Sequence, residues 1–301
     1  MKELHCVIIG DANIDVITSL ERQDVLHMEN PCVYSGVTTS VGGNGIFFAE
    51  AAREAGYTSV KLLCSLGEDL AAEEIRAYCQ RKKLDIIHFP SKKNTGKVII
   101  LYKPNDKRIL IADRGANEDF LIGGDDLPTR MFHTTNILYV SGYFLLNETQ
   151  SLAVECLANK FINAGSFAVI DVVPHDIYER MSWNEYYKRC AYAHGVIAEA
   201  PTIAGFMKAD AGCMSADEMA DFLLRSFGFC IIRLNALSDF LIADRNQRTI
   251  IRIDYRQQMS SLRFSDRVAA YVLKQYLNDP KGFFASPAWA DDVKRAMGER
   301  A

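Results

Sequence analysis

Short apolar runs alternate with amphipathic stretches along nearly the whole chain. Residues 6–9 (Cys6-Val7-Ile8-Ile9) form a continuous apolar run closed by Gly10, which predicts a strand buried on both faces, as in a parallel sheet. Residues 46–55, preceded by Gly42-Gly43-Asn44-Gly45 and followed by Gly56, predict a helix opened by a glycine turn and stopped by a glycine. Residues 59–64 read as the next strand and residues 70–81 as the next helix. This βαβα order implies a right-handed, mostly parallel sheet. Residues 16–40 mix polar and β-branched positions and read as an irregular β excursion. Residues 97–102 and 108–112 flank Pro104-Asn105-Asp106 and predict a hairpin.

The second half continues the alternation. Strands are predicted at 136–140, 167–170 and 195–198, and a helix at 150–164. Ser215-Ala216-Asp217-Glu218 is a capping box for a helix running to about Ser226. A strand at 229–235 and a hairpin of 237–243 with 249–254 follow. Ser260, Ser261 and Ser265 are residues of the kind that lead into a helix. The pattern Val268 to Leu273, then Tyr276-Leu277, predicts a buried helix with Asp266 in or just before its first turn. There an anion is favoured by open N–H groups and the helix dipole. Asp266 then has two readings: a helix cap contributing about 1 kcal/mol, or a catalytic base at an anion-binding helix start.

Composition narrows the class of protein. The 301 residues suffice for one large α/β domain or two smaller ones. The content is 49% hydrophobic and 24% charged, that of a globular protein with an ample core. A net charge of −4 argues against nucleic acid or an anionic membrane as partner. The eight cysteines are scattered without a CxxC pair, which predicts buried free thiols and a cytoplasmic setting.

Candidate chemistry sits where strands end. Asn13 and Asp15, in Gly10-Asp11-Ala12-Asn13-Ile14-Asp15, would share a face and could grip vicinal hydroxyls; the alternative is an Asx turn closing the strand. The glycines before residues 46–55 would let a ligand approach backbone N–H groups, although the loop is neither a Walker loop nor a dinucleotide fingerprint. His175 stands alone in a loop and reads as incidental.

Taken together, Gly10-Asp11-Ala12-Asn13-Ile14-Asp15, Gly42-Gly43-Asn44-Gly45, Gly67-Glu68-Asp69, Thr95-Gly96 and Arg114-Gly115-Ala116-Asn117 resemble, in order and spacing, the ribokinase (PfkB) family of ATP-dependent sugar and nucleoside kinases. The resemblance implies a three-layer α/β/α domain over residues 1–301, with a mostly parallel sheet and a small β lid from about 16–40 and 93–113. It implies a sugar or nucleoside acceptor against Asn13, Asp15, Gly42, Gly43 and Asn44, ATP and Mg as donor, and a possible homodimer through the lid. It places a nucleotide and anion site at Glu199, Asn235, Arg263, Phe264 and Ser265, with Asp266 as the base. The chain departs from the family pattern at several places. Phe47 stands where a sugar-facing asparagine is common, and Asp171-Val172-Val173-Pro174-His175 stands for Asp-x-Asn-x-Arg. Glu199 and Thr202 stand for Asn-x-x-Glu, Arg233-Leu234-Asn235 for a strand ending Thr-x-Gly, and Arg263-Phe264-Ser265-Asp266 for Gly-Ala-Gly-Asp. These departures leave two readings, a working kinase or a pseudokinase that binds its small molecule without phosphorylating it.

Overall fold

In the first strand, β1 (His5–Ile9), successive side chains serve two different cores. Cys6 and Ile8 pack into one, Val7 and Ile9 into the other. This is what a strand covered by helices on both faces requires. The computed structural model describes residues 3–20, 28–29, 32–103, 108–122, 126–235, 239–253, 261–285 and 288–297. The predicted turn at residues 104–106, and the lead-in at residues 254–260, lie outside the described residues.

The other elements, in chain order, are β2 (Asn13–Ser19), β3 (Val37–Gly42), α1 (Asn44–Glu54), β4 (Ser59–Leu66), α2 (Leu70–Lys82), β5 (Asp85–Pro90), β6 (Gly96–Tyr102), β7 (Arg108–Asp113), α3 (Thr129–Thr134), β8 (Ile137–Ser141), α4 (Glu148–Asn163), β9 (Phe167–Asp171), α5 (Trp183–Cys190), β10 (Gly195–Glu199), α6 (Ala200–Met207), α7 (Ala216–Leu224), β11 (Phe229–Arg233), β12 (Asp239–Asp244), β13 (Arg248–Arg252), α8 (Ser261–Asn278) and α9 (Ala288–Ala296).

Nine strands form one sheet in the order β13-β12-β11-β10-β9-β8-β1-β4-β5. It is parallel from β5 to β11, and the antiparallel hairpin β12-β13 closes one edge. Helices α1, α2, α8 and α9 cover one face and α3 to α7 the other, giving three layers. Strand order reverses around β1, which lies between β4 and β8. The crevice outside the carboxyl ends of β1 and β8 is therefore the place where such sheets bind ligands. A second sheet, β3-β2-β6-β7, stands over that crevice. Among the described residues, no helix is long and apolar enough to cross a membrane.

One predicted boundary is corrected. Helix α8 begins at Ser261, so Asp266 is its sixth residue rather than a cap or first-turn residue. The cause is Phe264, which is only 2% exposed. It lies on the buried stripe with Val268 and Val272, spaced four residues apart, and packs against Phe240 with ring centroids 5.9 Å apart. Burial of that ring draws the helical pattern one turn upstream of the expected start.

Candidate active site

The carboxyl end of β1 leads into a buried polar cluster. The Asp11 N–H donates to Asn44 Oδ1 (3.3 Å), and the Asn44 amide donates to Ser141 Oγ at the end of β8 (2.5 Å). The Asp11 carboxylate accepts from Arg114 Nη2 at 3.3 Å. Burial nevertheless raises its pKa, with the Arg114 charge opposing. Asn117 is fully buried and holds the next residues in place. Its Oδ1 accepts from the Ala12 N–H (3.3 Å), and its Nδ2 donates to Asn13 Oδ1 (2.8 Å).

Asn13 and Asp15 sit two apart on β2 and so share one face. Two glycines make the room. A Cβ on Gly42 would fall 2.0 Å from Asp15 Oδ2, so that carboxylate occupies the space a side chain would fill. Gly43 has φ 101°, and a Cβ there would meet the Asp11 carbonyl oxygen at 2.3 Å. Burial raises the Asp15 pKa to about 6, against the lowering effect of the Arg263 charge.

A second cluster lies across the cavity, at the ends of β9, β10 and β11 and on α8. Asp171 accepts from the Tyr139 hydroxyl at 2.7 Å, and Tyr139 stacks on Phe48 at 3.8 Å between centroids. Burial lifts Asp171 to a pKa of about 6; the Tyr139 hydrogen bond and His175 pull it down, and Glu199 pushes it up. Glu199 and Arg233 are directly paired across the parallel strands β10 and β11, with Nη1 2.9 Å from Oε1. His175 Nε2 lies 3.7 Å from the other Glu199 oxygen. Asp266 is 9% exposed, and its pKa is pushed well above the carboxylate range by burial first and then by Asp171, with Arg233 opposing.

One cavity joins the two clusters. Its wall includes Asn13, Asp15, Gly43 and Asn44 on one side and Asp171, Glu199, Arg233, Ser265 and Asp266 on the other. Val98, Ile100, Leu110 and Ala112 of the second sheet, together with Phe47, add apolar surface.

Four predicted site residues are not brought to this wall. Gly42 stands behind Asp15. Asn235 turns its side chain to accept from the Asp239 N–H (3.2 Å) in the β11–β12 connection. Phe264 belongs to the core. Arg263 lies on the α1 side, 3.1 Å from Glu50 and 4.8 Å from the Phe47 ring centroid, rather than in an anion hole. The expected placement of Asp266 beside open helix N–H groups is also corrected. Helix α8 runs from Ser261, so Asp266 lies one turn into it, and its own backbone N–H is among the groups that favour its ionised form.

A sequence profile of the pfkB family carbohydrate kinases matches residues 3–211. The chain belongs to the pfkB family of carbohydrate kinases. Among curated proteins, no match was found. Solved structures share the fold at low identity. Adenosine kinase from Sinorhizobium meliloti is 14% identical with a TM-score of 0.77, over 92% of this chain and 88% of that one. Ribokinase from Giardia lamblia is 14% identical with a TM-score of 0.77, over 98% and 92%. Fructokinase with bound ATP from Xylella fastidiosa is 13% identical with a TM-score of 0.75, over 97% and 89%. In this pfkB chain the profile match covers Asn13 to Asn44 and Glu199, while Arg233 and the Arg263 to Asp266 stretch lie beyond it.

From the sequence alone, Asp11, Arg114, Asn117, Asp171, His175 and Arg233 carry no expected site role. Five of these stood within stretches already singled out, and Asp11 lay inside the hexapeptide that carries Asn13 and Asp15. His175, expected to be incidental from its lone position in a loop, lines the cavity beside Glu199.

Proposed function

We propose that this pfkB-family protein transfers the γ-phosphoryl group of ATP to a hydroxyl of a sugar or nucleoside, with Asp266 as the general base. The observation that carries this reading is the single cavity shared by the Asn13, Asp15 and Asn44 cluster and the Asp266 carboxyl. Asn13 and Asp15, fixed by Asn117 and by the space over Gly42, would take vicinal hydroxyls of the acceptor. Asp266 would receive the proton of the attacking hydroxyl, a role that contributes typically 10²- to 10⁴-fold. Its high proton affinity suits that step once it is ionised, and the Arg233 charge favours the ionised form.

Glu199 and Asp171 are the carboxylates whose chemistry suits magnesium here. Among the described residues no group of three or more His, Cys, Asp or Glu could hold a metal ion alone. Magnesium in such sites is commonly held by one or two carboxylates together with phosphates and water. When bound, it neutralises charge on the phosphates. The second sheet would serve as the lid. Its edge strands expose Val37 (64%) and Ile111 (57%), which favours pairing of two lids in a homodimer, measurable by light scattering.

A second reading, a binding protein that retains the acceptor side without transfer, is favoured by one observation. Phe264 fills the core and Arg263 pairs with Glu50, where an anion hole was expected. Calorimetric titration with ATP-Mg and with ribose, fructose, inositol and nucleosides separates the two. The kinase reading expects ATP binding and turnover that disappears in Asp266→Asn with binding retained. Acceptor binding without ATP binding sinks it in favour of the second reading.

A further inference from the structure

A transferring phosphoryl group carries charge that fixed donors must meet. On the Asp266 side of the cavity, helix α8 begins at Ser261, five residues before Asp266. The Arg233 guanidinium faces the cavity there, and Glu199 lies between it and His175 at 2.9 and 3.7 Å. The Arg233 guanidinium is also anchored by Nε donating to the Asn235 carbonyl oxygen at 3.3 Å, and its side chain is only 12% exposed. An arginine fixed from two directions is preorganised to meet phosphate oxygens. Its charge acts on the Asp266 carboxyl, so the two groups serve one region of the cavity.

We propose that Arg233, oriented by Glu199, is the anion receptor of this site and binds the terminal phosphate of the phosphoryl donor beside Asp266. This rests on the reading that the cavity takes a nucleoside triphosphate. It assigns to a strand-end side chain the role that helix N–H groups were expected to fill.

The test is calorimetric titration of the full-length protein with ATP and with ADP, in EDTA so that a metal does not mediate the contact. The wild type is expected to prefer ATP. Arg233→Gln should weaken ATP binding about 10- to 100-fold and bring the ATP and ADP affinities together. Glu199→Gln, which leaves Arg233 in place, should strengthen ATP binding in the wild-type background and lose that gain in the Arg233→Gln background. An unchanged preference for ATP in Arg233→Gln overturns the inference, as does an equal Glu199→Gln gain in both backgrounds. If Asp266→Asn still abolishes turnover, the kinase reading survives that result. A wild type that binds neither nucleotide, with or without magnesium, overturns both.

Discussion

Replacing Asp171 by asparagine should make the protein more stable at neutral pH. The carboxyl is buried at the end of β9, with the Tyr139 hydroxyl at 2.7 Å, and His175 and Glu199 act on it in opposite directions. Its pKa rises from 3.8 to about 6, with burial the largest cause. At about 1.4 kcal/mol per tenfold change in proton affinity, ionising Asp171 in the fold costs about 3 kcal/mol. Between pH 3.8 and 6 the native carboxyl keeps a proton that the unfolded chain has lost. The native state therefore binds more protons there, and the contribution of this group to stability falls as pH rises through the window, then levels off. Asparagine is nearly isosteric, keeps an acceptor for Tyr139, and carries no charge to desolvate. A gain of about 3 kcal/mol above pH 7 corresponds, for a chain of this length, to about 5 °C in Tm. Denaturant unfolding of wild type and Asp171→Asn from pH 4 to pH 8 measures the free energy, and thermal unfolding over the same range measures Tm. The curves should converge near pH 4 and separate by pH 7. Parallel curves, or a variant less stable at pH 8, would refute the assignment of a buried, charge-disfavoured carboxyl.

Gly42→Ala puts a methyl group where the Asp15 carboxylate now lies. It should cost about 1–3 kcal/mol and abolish acceptor binding; calorimetry showing normal affinity would contradict the role of Gly42 as the space behind Asp15. Phe264→Ala removes a core ring and should cost about 3–5 kcal/mol, seen as a Tm lower by about 5–8 °C; an unchanged Tm with lost ATP binding would instead return Phe264 to the nucleotide site.

The parts of the fold that were legible in the sequence are those specified over a few residues. Apolar runs marked β1, β4, β8, β9, β10 and β11, and glycines bracketed α1, because burial on both faces and close backbone approach tolerate few residue types. Strand β5 carries no local signal because it is an edge strand, Asp85-Ile86-Ile87-His88-Phe89-Pro90, with much of its length exposed and no clean alternation. Helix α5 does carry a local signal, the capping box of Ser182 and Glu185 at its start. The early start of α8 was also encoded, in the spacing of Phe264, Val268 and Val272, but three serines nearby suggested a cap. The Glu199–Arg233 pair could not be read locally. It depends on β10 and β11 lying side by side in register, which is a property of strand order.

That contrast bears on how the site responds to a donor. The Asn13 cluster is held by backbone and amide contacts, whereas the opposite wall sets the carboxylates Asp171, Glu199 and Asp266 beside the Arg233 guanidinium. Asp171 and Asp266 already hold protons more tightly than ordinary carboxyls. A polyphosphate beside them adds negative charge and raises their proton affinity further. Donor binding near pH 7 should therefore take up protons, and a bound divalent cation should reduce that uptake by neutralising the phosphates. Titrating ATP into the protein in two buffers of different ionisation enthalpy, with and without magnesium, measures the protons exchanged. Uptake of a fraction of a proton that shrinks with magnesium fits a carboxylate wall facing the phosphates. Proton release on binding, or no exchange in either condition, would place the polyphosphate away from Asp171 and Asp266.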